Sequence, residues 1–125
     1  MPHTNTWETQ GLYRKFVGEI SGDEILESNF ELQSDPNFKN IKYVINDFTE
    51  VTGHTIESAH TKAYATSDDI ISNTKGKLKI ALVATQPSLA ALANSYREQM
   101  KNNLFECEIF QAIKEARTWV SDEFL

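Results

Sequence analysis

The stretch VINDFTEVTGHTIESAH, Val44 to His60, begins as an apolar strand running into Asp47. It passes a Thr- and Gly-rich turn carrying His54 and ends in a helix-like segment. A strand feeding a helix is the repeating unit of an α/β domain, and the same step recurs downstream. Gly76 turns into LKIALVA, Leu78 to Ala84, the most apolar strand and therefore the expected centre of the sheet. Pro87 stands where a first helical turn tolerates proline. Leu89, Leu92, Ala93, Tyr96 and Met100 then recur at helical spacing. FECEIF, Phe105 to Phe110, reads as a further strand, and Ile113, Ala116, Trp119 and Val120 line one face of a last helix.

Upstream, Trp7 to Gln10 reads as a short first strand, Gly11 as a turn, and Leu12 to Ile20 as a second strand. The short connection makes that pair antiparallel. Ser21 and Glu24 form a capping box opening a helix to about Gln33, which buries Ile25, Leu26 and Asn29 or Phe30. Asp35-Pro36 ends it. The third strand is expected over Ile41 to Phe48, and Thr55 is expected to cap a second helix reaching about Ser72. The order is β-β-α-β-α-β-α-β-α: one α/β domain over residues 1–125 with a mixed sheet. Lys15 and Glu19, Lys42 and Asn46, and Glu106 and Glu108 alternate along their strands. That pattern predicts helices mainly on one face, with the other face partly open to solvent or to a second copy.

The 125 residues suit one core, and 40% hydrophobic residues mark an ordinary globular composition. The net charge of −6 argues against nucleic acid as a partner. Lys75, Lys77 and Lys79 are expected to form a solvated basic turn. The one cysteine, Cys107, has no disulfide partner within the chain and is expected to be buried, with Glu106 and Glu108 disfavouring a thiolate. No export signal is visible and no apolar run reaches membrane-spanning length, so the cytoplasm is the expected location.

Several residues together resemble a known family: Arg14, Phe16 and Gly18 in YRKFVGEIS, Asp23 at the first helix, and Asp35-Pro36. Asp47 on the third strand, Lys77 to Val83, Tyr96, Phe110, Ala116 and Trp119 follow in the same order. This order resembles the STAS domain, and most nearly the small stand-alone SpoIIAA-like proteins of bacteria. The resemblance implies an anti-sigma-factor-antagonist-like regulatory module, a regulatory protein partner and no enzymatic activity. In the phosphorylatable members the third strand leads to an Asp-Ser-Ser-Gly turn. Here Asp47-Phe48-Thr49-Glu50-Val51 matches the strand, but His54-Thr55-Ile56-Glu57-Ser58 stands in place of that turn.

A Ser/His/Asp-type triad from Asp47, His54 and Thr55 or Ser58 lacks any nucleophile-elbow pattern, so no catalytic residues are assigned. Asp47 is expected to make Asx-type bonds, with His54 in solvent. His54 and His60 are six apart, too far for an i, i+4 ligand pair, so no metal is expected; nor is any cofactor. The interaction or ligand edge is assigned to Asp47, Thr49, Thr52, Gly53, His54, Thr55 and Ser58. The second helix is expected to bury Ile56, Ala59, His60, Ala63, Ser67 and Ile70, a stripe poor in large side chains that would let the helix shift. The alternative function is a cleft between the second and third helices, lined by Ile56, Tyr64, Leu89, Tyr96 and Met100. Such a cleft would take an apolar small molecule or lipid, or serve peripheral membrane association.

Overall fold

The structure, a computed structural model, describes residues 3–121. Strand β1 (His3–Trp7) pairs antiparallel with β2 (Gly11–Ile20). Parallel strands β3 (Tyr43–His54), β4 (Leu78–Val83) and β5 (Phe105–Phe110) follow, giving the sheet order β1-β2-β3-β4-β5. The crossovers are α1 (Gly22–Ser34), α2 (Ser58–Lys75) and α3 (Pro87–Gln99). Because each crossover steps the same way along the sheet and such connections are right-handed, all three helices lie on one face. The last helix, α4 (Ile113–Ser121), returns across the other.

The expected α/β order and mixed sheet are present. The capping box holds: Ser21 Oγ accepts from Glu24 N at 3.0 Å, and Glu24 Oε1 accepts from Ser21 N at 3.2 Å. Boundaries shift elsewhere. The first strand is His3–Trp7 rather than Trp7–Gln10, because Glu8 N bonds Gly11 O and closes the turn there. A 3-10 turn over Pro36–Asn40 carries Phe38 into the core, so the third strand starts at Tyr43, later than expected. It then runs on to His54. Its far half pairs with β2 alone, through two register shifts, and Gly18 supplies the positive φ of 75° that such a bulge requires.

Strand β4 is buried along its whole length because it has cover on both faces. Leu78, Ile80 and Leu82 point under α1–α3, while Ala81 and Val83 join Ile45, Ala116 and Val120 beneath α4. The second face is thus less open than the alternating charges suggested. Two corrections follow from register. Asn46 pairs with Arg14, beside Leu12↔Val44, so it points under the helices and is buried. Lys79 is also buried: its Nζ donates to Trp119 O at 2.7 Å and lies 4.9 Å from the Trp119 ring centroid. Lys75 Nζ likewise donates to Ile41 O at 2.8 Å, so two of the three expected solvated lysines tie elements together.

Helix α4 is clasped at its middle by Arg117, whose two terminal nitrogens donate to the Glu8 carboxylate at 2.6 and 2.7 Å. Tyr43 donates to the same carboxylate, and desolvation together with that bond pushes its hydroxyl up to about 12. Ala116, fully buried on the sheet-facing side of α4 against Ile45, Ala81 and Val83, leaves no room for a larger side chain. Ala116→Leu is expected to cost about 2 kcal/mol by overpacking, read from urea unfolding; an unchanged midpoint would mean that α4 does not seat on this face.

Candidate functional site

Two places gather the residues that the sequence singled out. The first is the far half of β3 and the approach to α2. The last β3–β4 pair is Asp47↔Val83, so Phe48 to His54 has no β4 neighbour on that side. Asp47 is buried on the α4 face of the sheet, where it accepts from Tyr13 Oη, from Thr49 N at 2.9 Å and from Thr49 Oγ1 at 2.7 Å. The Asx-type bonds are as expected, but they lie within a strand instead of a loop. The Tyr13 hydroxyl is pushed well up, first by desolvation and then by its bond to Asp47.

His54 is half-buried, not free in solvent. Its Nδ1 accepts from Ile56 N at 3.1 Å, which leaves the ring proton on Nε2, 3.0 Å from Ser88 Oγ. Thr55 does not cap α2, because the helix begins only at Ser58, and its N–H instead donates to Ile20 O. The cap is Glu57, whose N–H donates to His60 Nδ1 at 2.9 Å. His60 Nε2 reaches Asp23 at 3.4 Å, and the ring lies so close over Gly22 that a Cβ there would meet it at 2.4 Å. Tyr64 Oη donates to Gly22 O at 2.6 Å. Gln86 Nε2 donates to Val51 O at 2.5 Å, covering part of the open β3 edge. Thr49, Thr52, Thr55 and Ser58 remain exposed around these ties, while Gly53 is half-buried against Glu19.

The second place is a cavity of about 90 Å³ between the sheet and α1, α2 and α3. Ile56, Tyr64, Leu89 and Tyr96 line it; Met100, buried at the end of α3, does not. The inward stripe of α2 is rotated from expectation: Thr61, Tyr64, Ala65, Asp68 and Ser72 are buried, whereas Ala59 and Ile70 are exposed. Helix α1 keeps Ile25, Leu26 and Asn29 toward the core as expected, but Ser28 and Leu32 face in with them and Phe30 faces out.

The cavity has a polar end that sequence reasoning missed. Arg14, 3% exposed, donates from Nε to Asn46 Oδ1 at 3.0 Å, from one terminal nitrogen to Ser28 Oγ at 3.1 Å and from the other to Asn29 Oδ1 at 2.7 Å. Burial lowers it to about 10, so it stays cationic at neutral pH. Across the cavity, Asp68 accepts from Tyr96 Oη at 2.5 Å and from Gln33 Nε2 at 2.8 Å. Burial, the largest influence, pushes the Asp68 carboxyl up. Among the described residues no carboxylate lies within ion-pair distance of Arg14. A signal existed in the sequence: Arg14 interrupts the Leu12–Phe16 inward set at the register position where Asn46 interrupts Val44–Phe48. Cys107 is buried as expected, and desolvation, then Glu108, raises its thiol well above the usual range.

With its folded value raised, Asp68 holds its proton to higher pH in the native chain than in the unfolded one. Stability therefore falls as pH rises through that window. Asp68→Asn removes the titration and keeps an acceptor for Tyr96. The variant is expected to gain stability over the parent as pH rises from about 4, in urea midpoints taken across pH. A gap that narrows with rising pH would contradict the burial effect.

No family model matches the sequence, and no curated protein sequence matches it. Solved structures similar in fold include the following two. The anti-sigma factor antagonist SpoIIAA in its unphosphorylated form matches with a TM-score of 0.60 at 10% identity, over 96% of this chain and 98% of that one. An uncharacterised protein of the DUF3478 family with a SpoIIAA-like fold, from Shewanella loihica PV-4, matches with a TM-score of 0.53 at 17% identity, over 94% and 91%. This chain has the SpoIIAA-like fold.

Proposed function

We propose that the protein is a non-enzymatic regulatory module of the STAS kind that binds a protein partner through the far half of β3 and the start of α2. One observation carries this function. Strand β3 continues to His54 after its pairing with β4 has ended at Asp47↔Val83, presenting extended backbone and the exposed hydroxyls of Thr49, Thr52, Thr55 and Ser58. A strand edge beside a helix start offers backbone and side-chain hydrogen bonds to a partner. The fold supports the choice, since one similar structure is that of an anti-sigma factor antagonist.

The geometry gives little support to catalysis here. Asp47 and His54 lie about 20 Å apart along one strand by its rise per residue, and both are held by other partners. The Asp-Ser-Ser-Gly turn is replaced by His54-Thr55-Ile56-Glu57-Ser58, so recognition at this edge proceeds without that phosphoacceptor. Among the described residues no helix is long and apolar enough to cross a membrane, and we place the module and its partner in the cytoplasm.

A photo-reactive side chain introduced at Thr52 or Thr55 tests this assignment against one at Glu31 on the exposed side of α1. The expected outcome in cell extract is one shared crosslinked protein from the two edge positions and none of it from position 31. Equal crosslinking from all three positions, or none from the edge, would remove the interaction edge from the account.

A further inference from the structure

We infer that the cavity beneath α1, α2 and α3 is a binding site for a small monocarboxylate with a compact apolar body, its carboxylate held by Arg14. The site is separate from the β3 edge and stands without the protein-partner proposal. Its wall is built largely from Leu78, Ile80, Leu82, Leu89 and Phe105, an apolar surface that gains by excluding water. Into that surface the structure places a guanidinium whose hydrogen bonds all go to neutral oxygens, with the Asp68 carboxylate facing it from beyond ion-pair distance, so that a closer anion would be favoured.

The donor count points the same way. A guanidinium carries five N–H groups. Asn46, Ser28 and Asn29 take three of them, all through neutral oxygens, and the two remaining belong to the terminal nitrogens. An N–H on a cationic guanidinium bonds a carboxylate about twice as strongly as a neutral oxygen. The opposing charge on Asp68 is softened by burial, and its oxygens already hold Tyr96 and Gln33. Size then limits the ligand. A volume near 90 Å³ is well below the roughly 300 Å³ at which sites for drug-sized ligands begin. It fits a short or branched acid, whereas a long acyl chain requires α2 to be displaced.

Isovalerate titrated into the full chain, observed through the methyl resonances of Ile80, Leu82 and Leu89, is the direct probe, with isovaleramide and decanoate as comparison arms. Saturable shifts with isovalerate are expected, with isovaleramide weaker by about tenfold or more, the size of a charge-assisted hydrogen-bond contribution. Arg14→Gln is expected to lose isovalerate affinity by a similar factor, and Ala93→Leu, which fills the cavity and leaves Arg14 in place, to abolish the shifts. Equal binding of acid and amide to the parent chain, or no saturable shift, would overturn the proposal even if Arg14→Gln fails to fold. Binding of decanoate in preference to isovalerate would overturn the small-ligand assignment and point to a lipid-derived acid.

Discussion

The buried guanidinium of Arg14 is the constraint around which the helical face of this protein is arranged. A cation cannot be left in an apolar layer without hydrogen bonds, so the chain must bring oxygens to it from separate elements. Asn46 comes from the neighbouring strand, Ser28 and Asn29 from α1. Satisfying one side chain thereby fixes the register of β2 against β3 and the rotation of α1 above them. The Phe16 ring, 5.1 Å from the guanidinium carbon and stacked on Phe48, covers the group on another side. Truncating any one of these oxygens leaves a donor unpaired, which costs more than the bond itself contributes.

The two faces of the sheet solve different problems. Under α1–α3 the core is broad and rich in large side chains, yet it stops short of closing around Arg14 and Asp68. Under α4 the core is small and tight, built on Ile45, Ala81, Val83, Ala116 and Val120. Strand β4 is sandwiched between them, which is why its six residues are all buried and why even Lys79 is drawn inward to a backbone carbonyl. The approach to α2 is organised by two histidine rings, each accepting a backbone N–H at Nδ1. The exposed edge and the roof of the cavity therefore meet at one helix start.

Much of the fold was legible in the sequence because it rests on local signals. The S-G-D-E capping box, Asp35-Pro36, Pro87 and the period of Leu89, Ala93 and Tyr96 each act within a few residues, and each stands as expected. What was missed depends on non-local pairing. The extension of β3 to His54 is imposed by β2, through a bulge that no local pattern marks. The inward face of α2 was misplaced because its buried residues, Thr61, Asp68 and Ser72, are polar, and polarity alone reads as surface. Their burial makes sense only once Gln33, Tyr96 and Arg14 are brought opposite. Of the cleft residues, four converge on the cavity, but its charged end was visible only as two polar interruptions that register places side by side.

The most direct measurement of this account is nitrogen-15 NMR of the Arg14 side chain in the native protein. A guanidinium clamped at Nε and at both terminal nitrogens rotates slowly about its Nε–Cζ bond. Separate terminal resonances and an Nε–H protected from exchange are therefore predicted at neutral pH. A single averaged terminal signal with rapid exchange of the Nε–H would show a free, hydrated side chain and would contradict the central place given to Arg14.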